Sequence, residues 1–88
     1  MTLQEARACV KNTKYIVWSK DESIQLQKKL FEIGCRWLMT GQSQYITEGP
    51  FLFVSEQLLI TFTSSDKAEW FDGSQYTIKS PQDIISIK

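Results

Sequence analysis

Three acidic residues recur at helical spacing in the second half of the chain. Asp66, Glu69 and Asp72 are three positions apart, so a helix would place their carboxylates on one face. Carboxylate oxygens are ligands that divalent cations prefer, so the spacing permits a Ca²⁺ or Mg²⁺ site. Acids in the first turn and on the solvent face of a helix produce the same spacing, and this interpretation is favoured. We expect no metal site and no other cofactor.

The sequence gives little support for acid–base or nucleophilic catalysis. The 88-residue sequence contains no histidine, which removes the commonest general base, a usual zinc ligand and the Ser-His-Asp and Cys-His arrangements. Cys9 and Cys35 lack the spacing of a metal knuckle and are expected to be reduced packing residues. Gly41, Gly49 and Gly73 are isolated turn glycines and form no phosphate-binding loop. We predict that the protein is not an enzyme.

Aromatic residues interleaved with cations are the remaining candidates for ligand binding. Rings on a sheet can stack single-stranded bases while nearby cations contact the phosphates. The balance of ten basic and ten acidic residues argues against this function, because phosphate binding depends on clustered positive charge. The same aromatics are equally expected in the core of a small domain. The residues concerned are Lys14, Tyr15, Arg36, Trp37, Tyr45, Tyr76 and Lys79.

Trp70 and Phe71 lie side by side in a polar segment, residues 64–72. Docking against the core is the default expectation for such a pair. If they are exposed, they form an aromatic anchor of the kind that dominates protein interfaces. The sequence leaves both interpretations open.

Capping signals and hydrophobic periodicity define the elements that position these residues. Ser19 and Glu22 form an S-x-x-E capping box, and the amphipathic helix that follows ends at Gly34. Thr2 and Glu5 form a second capping box. In chain order the predicted elements are a helix over 2–12, a strand over 14–18, a helix from the Ser19 cap to Gly34, strands over 35–39 and 44–47, a hairpin of 51–54 with 58–63, a helical turn within 64–72, a strand over 76–79 and a short helix that begins at Ser80.

These elements predict a single small α+β domain over residues 1–88, with an N-terminal helix in 1–13 and a sheet-and-helix body in 14–88. We expect an antiparallel or mixed sheet of four to five strands, with one main amphipathic helix packed on one face. The strand over 14–18 is apolar on both faces, which predicts a central strand covered on each side. The aromatics exceed what one helix can cover, so the N-terminal helix or a partner is expected to cover the rest, and homo-oligomerisation is expected.

The hydropathy of the chain indicates its compartment. No segment approaches the roughly 20 consecutive apolar residues of a transmembrane helix. Residues 1–12 contain no apolar run typical of a signal peptide. We expect a soluble cytoplasmic protein with no membrane partner.

Two sequence patterns flank the aromatic hairpin. Q-x-x-L-F-x-x-G-x-x-W spans the junction from the main helix to the next strand, and Y-x-I-x-(S/T)-P-x-D-(I/L) lies near the C-terminus. Together with the hairpin they resemble a group of small tailed-bacteriophage and prophage accessory proteins of the early, host-takeover or anti-defence type. The resemblance covers about residues 14–87. The matching residues are Gln27, Leu30, Phe31, Gly34 and Trp37 in the junction, and Tyr76, Ile78, Ser80, Pro81, Asp83 and Ile84 in the tail.

The resemblance implies an early phage protein, not part of the virion, made in the cytoplasm of the infected cell. Such proteins commonly bind and inhibit a host enzyme, toxin or defence component, so we favour a non-enzymatic binding module that inhibits or modulates a host factor by protein–protein contact. The alternatives are an RNA- or single-stranded nucleic-acid-binding protein, and a sponge for a small nucleotide signal at an oligomer interface lined by Arg36 or Lys14. The predicted contact residues are Arg36, Trp37, Tyr45, Trp70 and Phe71.

Overall fold

The computed structural model describes residues 2–38, 45, 49–63, 68–73 and 75–87, with the backbone alone at positions 68, 70 and 72. Within these ranges the chain forms four helices and five strands. The helices are α1 (Leu3–Val10), α2 (Lys20–Ile33), α3 (Ala68–Gly73) and α4 (Pro81–Ile85). The strands are β1 (Thr13–Ile16), β2 (Arg36–Trp37), β3 (Phe51–Val54), β4 (Leu59–Thr63) and β5 (Thr77–Ile78).

The strands form one mixed sheet in the order β2-β4-β3-β1-β5, which confirms the predicted α+β fold. β3 pairs antiparallel with β1 on one side and with β4 on the other. Both edge strands run parallel to their neighbours, since β5 pairs with β1 and β2 pairs with β4. β1 is therefore an internal strand, with β3 on one side and β5 on the other, as predicted for the strand over 14–18, and β3 is the middle strand of the sheet.

β1 ends two residues earlier than predicted, at Ile16. The backbone N–H of Trp18 donates to the Glu22 carboxylate at 2.9 Å, because this side chain caps the start of α2. The chain thus leaves the sheet to enter the helix. The expectation that this strand is covered on each side is wrong only at Trp18, whose side chain is 83% exposed.

α1 begins at its predicted capping box, and α2 begins at the predicted Ser19 cap, although Glu22 accepts from the N–H of Trp18 and not from that of Ser19. In α1 the Thr2 hydroxyl accepts the N–H of Glu5 at 3.1 Å, and the Glu5 carboxylate accepts the N–H of Thr2 at 3.0 Å. In α2 the Ser19 hydroxyl accepts the N–H of Glu22 at 3.1 Å. Gly34 ends α2 with φ of 119°, a left-handed conformation that glycine adopts at little cost.

The main core lies on one face of the sheet, beneath α1, α2 and α4. Alternate strand residues reach it, because side chains two positions apart lie on the same face. α1 packs on this face through Ala6 and Val10. It therefore does not cover the opposite face, so the expectation that the N-terminal helix covers the remaining aromatics is wrong. The buried core residues are Ala6, Val10, Tyr15, Val17, Leu26, Leu30, Ile33, Cys35, Trp37, Leu52, Val54, Ile60 and Ile84.

The opposite face of the sheet is partly covered by α3. Phe71 is buried, and its ring centre lies 4.9 Å from that of Phe51 and 5.8 Å from that of Phe53. Tyr76 adds a fourth ring, 5.7 Å from Phe53. The buried Lys14 ammonium donates to the Phe71 carbonyl and lies 4.5 Å from the centre of the Phe71 ring, which offsets part of its desolvation cost. The chain thus covers this region with its own aromatic cluster.

The remaining predictions differ mainly in length. The hairpin of β3 and β4 is confirmed, and α4 begins as predicted at Ser80, whose hydroxyl accepts the N–H of Gln82 at 3.3 Å. The strands predicted over 35–39 and 76–79 contain two strand residues each. The predicted turn and strand within 40–47 lie outside the described residues, apart from Tyr45, which is not in a strand.

Candidate functional site

Two of the five predicted contact residues converge on Phe31, near the end of α2. The Nη1 atom of Arg36 donates to the Phe31 carbonyl at 3.2 Å. The ring centre of Tyr45 lies 5.7 Å from that of Phe31. Leu38 adds an exposed apolar side chain two residues beyond Arg36. We call Phe31, Arg36, Leu38 and Tyr45 the Phe31 patch.

The guanidinium of Arg36 is held in place by backbone carbonyls. It also donates to the Cys35 carbonyl at 2.7 Å. α2 has no basic residue in its last turn, although its C-terminal carbonyls carry the negative end of the helix dipole. Arg7 of α1 donates its Nε–H to the Ile33 carbonyl at 2.8 Å. Two arginines from outside α2 therefore stabilise its C-terminus, and one of them belongs to the Phe31 patch.

The Phe31 patch combines exposed apolar area with an oriented charge. Leu38 is 56% exposed and Tyr45 is 50% exposed. Arginine and tyrosine are enriched at the centres of protein interfaces. Because the Arg36 guanidinium is already ordered, it would lose little side-chain entropy when a partner binds. The patch has the composition of a protein-contact surface.

Two other predicted contact residues are buried by the chain itself. Trp37 is 2% exposed and meets the ring of Phe62 edge to face, with ring centres 5.8 Å apart. Phe71 belongs to α3 and is buried between that helix and the opposite face of the sheet. In this fold neither ring is accessible to a partner. The backbone of Trp70 lies in α3, and its side chain is outside the described part of the chain.

Trp18 is a candidate contact residue that the sequence analysis missed. It is the most exposed large hydrophobic residue in the described ranges. It occupies the position before the Ser19 cap, where a hydrophobic side chain usually packs against the fourth residue of the helix. Here that residue is Ser23, which offers no apolar partner. The serine at position 23 is therefore the sequence feature from which the exposure of the Trp18 indole could have been predicted.

A cleft of about 550 Å³ lies beside Trp18, where β1 and β5 end. Its lining includes both apolar and charged residues. The Lys79 ammonium donates to the Cys9 carbonyl at 2.7 Å and so is bound to its own chain. Among the described residues, no hydrogen bond or ion pair engages the Asp83 carboxylate. The lining residues used below are Ile16, Trp18, Ile78, Lys79 and Asp83.

Neither a metal-binding cluster nor a membrane-spanning helix is found within the described ranges. Within the described ranges, no group of three or more His, Cys, Asp or Glu residues could hold a metal ion. Asp66 and the Asp72 side chain lie outside those ranges, so the cation site remains a hypothesis. No described helix is long and apolar enough to cross a bilayer. No protein-family model, curated protein or solved structure matches this chain.

Two buried acids in the main core have raised pKa values. Burial raises the pKa of the Cys35 thiol from 9.0 to about 12. Burial likewise raises the pKa of Tyr15 from 10.0 to about 12, against the opposing effect of its hydrogen bond to Thr13. The Thr13 hydroxyl donates to the Val10 carbonyl at 2.6 Å, so the Tyr15 hydroxyl donates to Thr13, also at 2.6 Å. Neither acid is poised to react near neutral pH.

We expect these two groups to make the fold sensitive to alkali. In the unfolded chain both lose their protons at lower pH than in the fold, so the native state holds more protons in this range. Their contribution to stability is fully present below about pH 9 and is lost as pH rises through about 12. Each pKa unit of difference corresponds to about 1.4 kcal/mol.

Urea unfolding at several pH values measures this loss. The free energy of unfolding should fall by at least about 2 kcal/mol between pH ~8 and pH ~11. Cys35→Ala should be less stable at pH ~8 but should show a shallower decrease, because one of the two groups is gone. Equal slopes in the two proteins would show that Cys35 does not titrate differently in the folded and unfolded states.

Proposed function

We propose that this chain is a non-enzymatic binding module that inhibits or modulates a host factor by protein–protein contact. The observation that carries the proposal is the Phe31 patch, in which the oriented Arg36 guanidinium and the half-exposed Tyr45 ring both contact Phe31, with exposed Leu38 two residues beyond Arg36. The host context is supported by the resemblance of the helix-to-strand junction and the C-terminal segment to phage accessory proteins. Phe31 is itself part of the junction pattern.

Protein contact is favoured over nucleic-acid binding by the burial of the sheet aromatics. Tyr15 and Trp37, which would stack bases on an open sheet, lie in the main core. Lys14, which would contact a phosphate, is bound to the Phe71 carbonyl. The net charge of zero also gives a polyanion little attraction. Nucleic-acid binding would therefore need exposed rings elsewhere.

The proposed function includes self-association of the chain. Exposed Trp18 and Ile78 line the same cleft, which borders β5. The Phe31 patch borders β2, at the opposite edge of the sheet. A homo-oligomer joined near the cleft would leave the Phe31 patch of each copy open to a target. Multiple copies of the patch would raise avidity for a clustered target.

Substitutions at two leucines of similar solvent exposure test the proposal. Leu38→Lys should reduce capture of the host target from nuclease-treated bacterial lysate by at least about tenfold, because it places a strongly hydrated ammonium in the Phe31 patch. Leu3→Lys changes a leucine of similar exposure, 50% against 56%, on α1 and should leave capture unchanged. The bound proteins are identified and quantified by mass spectrometry.

Tyr45→Ala provides a second change in the Phe31 patch and should weaken capture in the same way. Both patch variants should keep the unfolding midpoint of the wild-type protein, since their side chains are at least half exposed. The proposal is contradicted if Leu38→Lys and Leu3→Lys capture the target equally. It is also contradicted if RNA is retained and every protein is lost on nuclease treatment, which would favour the nucleic-acid alternative.

A further inference from the structure

We infer that two copies of this chain join edge to edge through β5, antiparallel and related by a two-fold axis near Ile78. The inference rests on the proposed self-association and specifies its surface. In the described chain β5 lies at one end of the strand order, so no strand covers its outer edge. A second copy would continue the five-stranded sheet across this edge.

The backbone of Ile78 is available for such a pairing. In the parallel ladder with β1, Thr77 donates its N–H to the Asn12 carbonyl at 2.9 Å and Lys79 donates to the Lys14 carbonyl at 3.0 Å. Residues on either side of Ile78 therefore face β1, and the N–H and C=O of Ile78 point to the open edge. An extended partner strand is the kind of group that satisfies both.

The side chains along this edge are apolar and exposed. Ile78 is 58% exposed, and Trp18 beside it is 83% exposed. Ile16, on the same face of the sheet as Ile78, lines the same cleft. Such side chains are favourable to bury and unfavourable to leave in water. An antiparallel partner strand would cover Ile78 on the axis and bring its own Ile78 beside the cleft.

The charges at the two ends of β5 complement each other under this symmetry. Exposed Lys11 lies next to Asn12, whose carbonyl binds the first residue of β5. Exposed Asp83 lies beyond the other end of β5, in the first turn of α4. In an antiparallel pair, the N-terminal end of one β5 strand lies against the C-terminal end of the partner's β5 strand. Lys11 of each copy therefore approaches Asp83 of the other copy, twice in one isologous interface, while the nearby Lys79 ammonium is bound to the Cys9 carbonyl of its own chain.

The shortness of the edge favours a second copy over a long peptide strand. Pro81 has no N–H to offer, and the Ser80 carbonyl already accepts the Asp83 N–H at 3.0 Å. A long strand would therefore find few backbone partners beyond Ile78. A two-fold contact centred on Ile78 needs only that residue from each copy, together with the apolar and charged side chains around it.

Ile78→Pro tests the pairing directly. Its N–H points away from β1, so proline removes the outward donor while the hydrogen bonds of Thr77 and Lys79 remain. We expect the wild-type chain to form a dimer in sedimentation equilibrium, and Ile78→Pro to weaken dimerisation at least about tenfold. Ile78→Val keeps the donor and should remain dimeric. Circular dichroism and thermal unfolding verify that both variants fold.

Charge reversal and cross-linking test the orientation. Lys11→Glu should weaken the dimer, and the double variant Lys11→Glu/Asp83→Lys should restore it. In a Cys9→Ala background, Ile78→Cys should form an intermolecular disulfide under mild oxidation. Directly opposed residues of a hydrogen-bonded antiparallel pair have Cα atoms about 5.5 Å apart, within disulfide reach. Thr77→Cys, which lies off the axis, should cross-link much more slowly.

The outcomes separate this inference from the proposed self-association. A wild-type chain that stays monomeric at every concentration overturns both. A wild-type dimer that persists unchanged in Ile78→Pro overturns the β5 interface alone, and a different surface then joins the copies. Restoration by the charge swap together with the Ile78→Cys cross-link would establish the antiparallel two-fold arrangement.

Discussion

Trp37→Ala is expected to lower the free energy of unfolding by about 3–5 kcal/mol, because it removes a large buried side chain and leaves a cavity. The indole is 2% exposed and lies edge to face with Phe62. It also belongs to β2, which has two residues and pairs only with β4 in the described sheet. A short edge strand has few hydrogen bonds, so the packing of its tryptophan decides whether it stays in the sheet.

Trp18→Ala is the matched control for this experiment. It removes the same side chain from a position that is 83% exposed in the single chain and, at protein concentrations where the chain is monomeric, should change the stability by no more than about 0.5 kcal/mol. Urea unfolding followed by far-UV circular dichroism measures both variants without relying on tryptophan fluorescence. Similar losses in the two variants would mean that Trp18 is packed in solution or that Trp37 is not. Loss of partner binding in a fully stable Trp37→Ala protein would return Trp37 to the contact residues.

Gly49→Ala is expected to cost about 2–3 kcal/mol through a steric clash with the backbone of β4. A Cβ at this position would clash with the Thr63 carbonyl oxygen and lie 2.7 Å from Cδ2 of Phe62. The phenyl ring can rotate away, but the carbonyl belongs to the sheet and can move only with the strand. Glycine is therefore required at position 49 because the backbone of β4 lies too close for a Cβ, and not because of a left-handed backbone conformation.

Gly73→Ala is the control for the glycine experiment. No atom lies within 4 Å of a Cβ built at Gly73, and this residue ends α3 without a left-handed backbone. Alanine there should be neutral or should stabilise the protein by up to about 1 kcal/mol, because it reduces the freedom of the unfolded chain. Thermal unfolding of the two variants gives the comparison directly. A Gly49→Ala midpoint as high as that of Gly73→Ala would exclude the clash.

Local signals were sufficient to predict much of the fold. The Ser19 cap and Gly34 bracket α2 because they satisfy the helix ends with neighbouring residues. The hairpin of β3 and β4 follows from two β-forming runs separated by a short turn. Ser80 and Pro81 mark the start of α4 in the same local way. Each of these elements depends on residues close together in the chain.

Features that depend on distant residues could not be predicted in the same way. The parallel pairing of β5 with β1 joins Thr13 to Thr77, and no local pattern specifies it. The position of Phe71 on the far face of the sheet depends on where the chain crosses after β4. For the candidate site, the sequence named Arg36 and Tyr45 separately. Their meeting at Phe31 is a product of the tertiary fold.

Because β5 pairs with β1, β1 cannot complete its strand pairing until the ribosome has synthesised β5. Ile84 of α4 completes the main core, and the Ile87 carbonyl accepts a hydrogen bond from the Lys29 ammonium at 2.6 Å. At typical rates of translation of roughly 5–20 residues per second, α1, β1 and α2 spend several seconds without these partners. Native packing therefore forms largely after β5 and α4 have been synthesised, and the apolar face of α2 is open to chaperones until then.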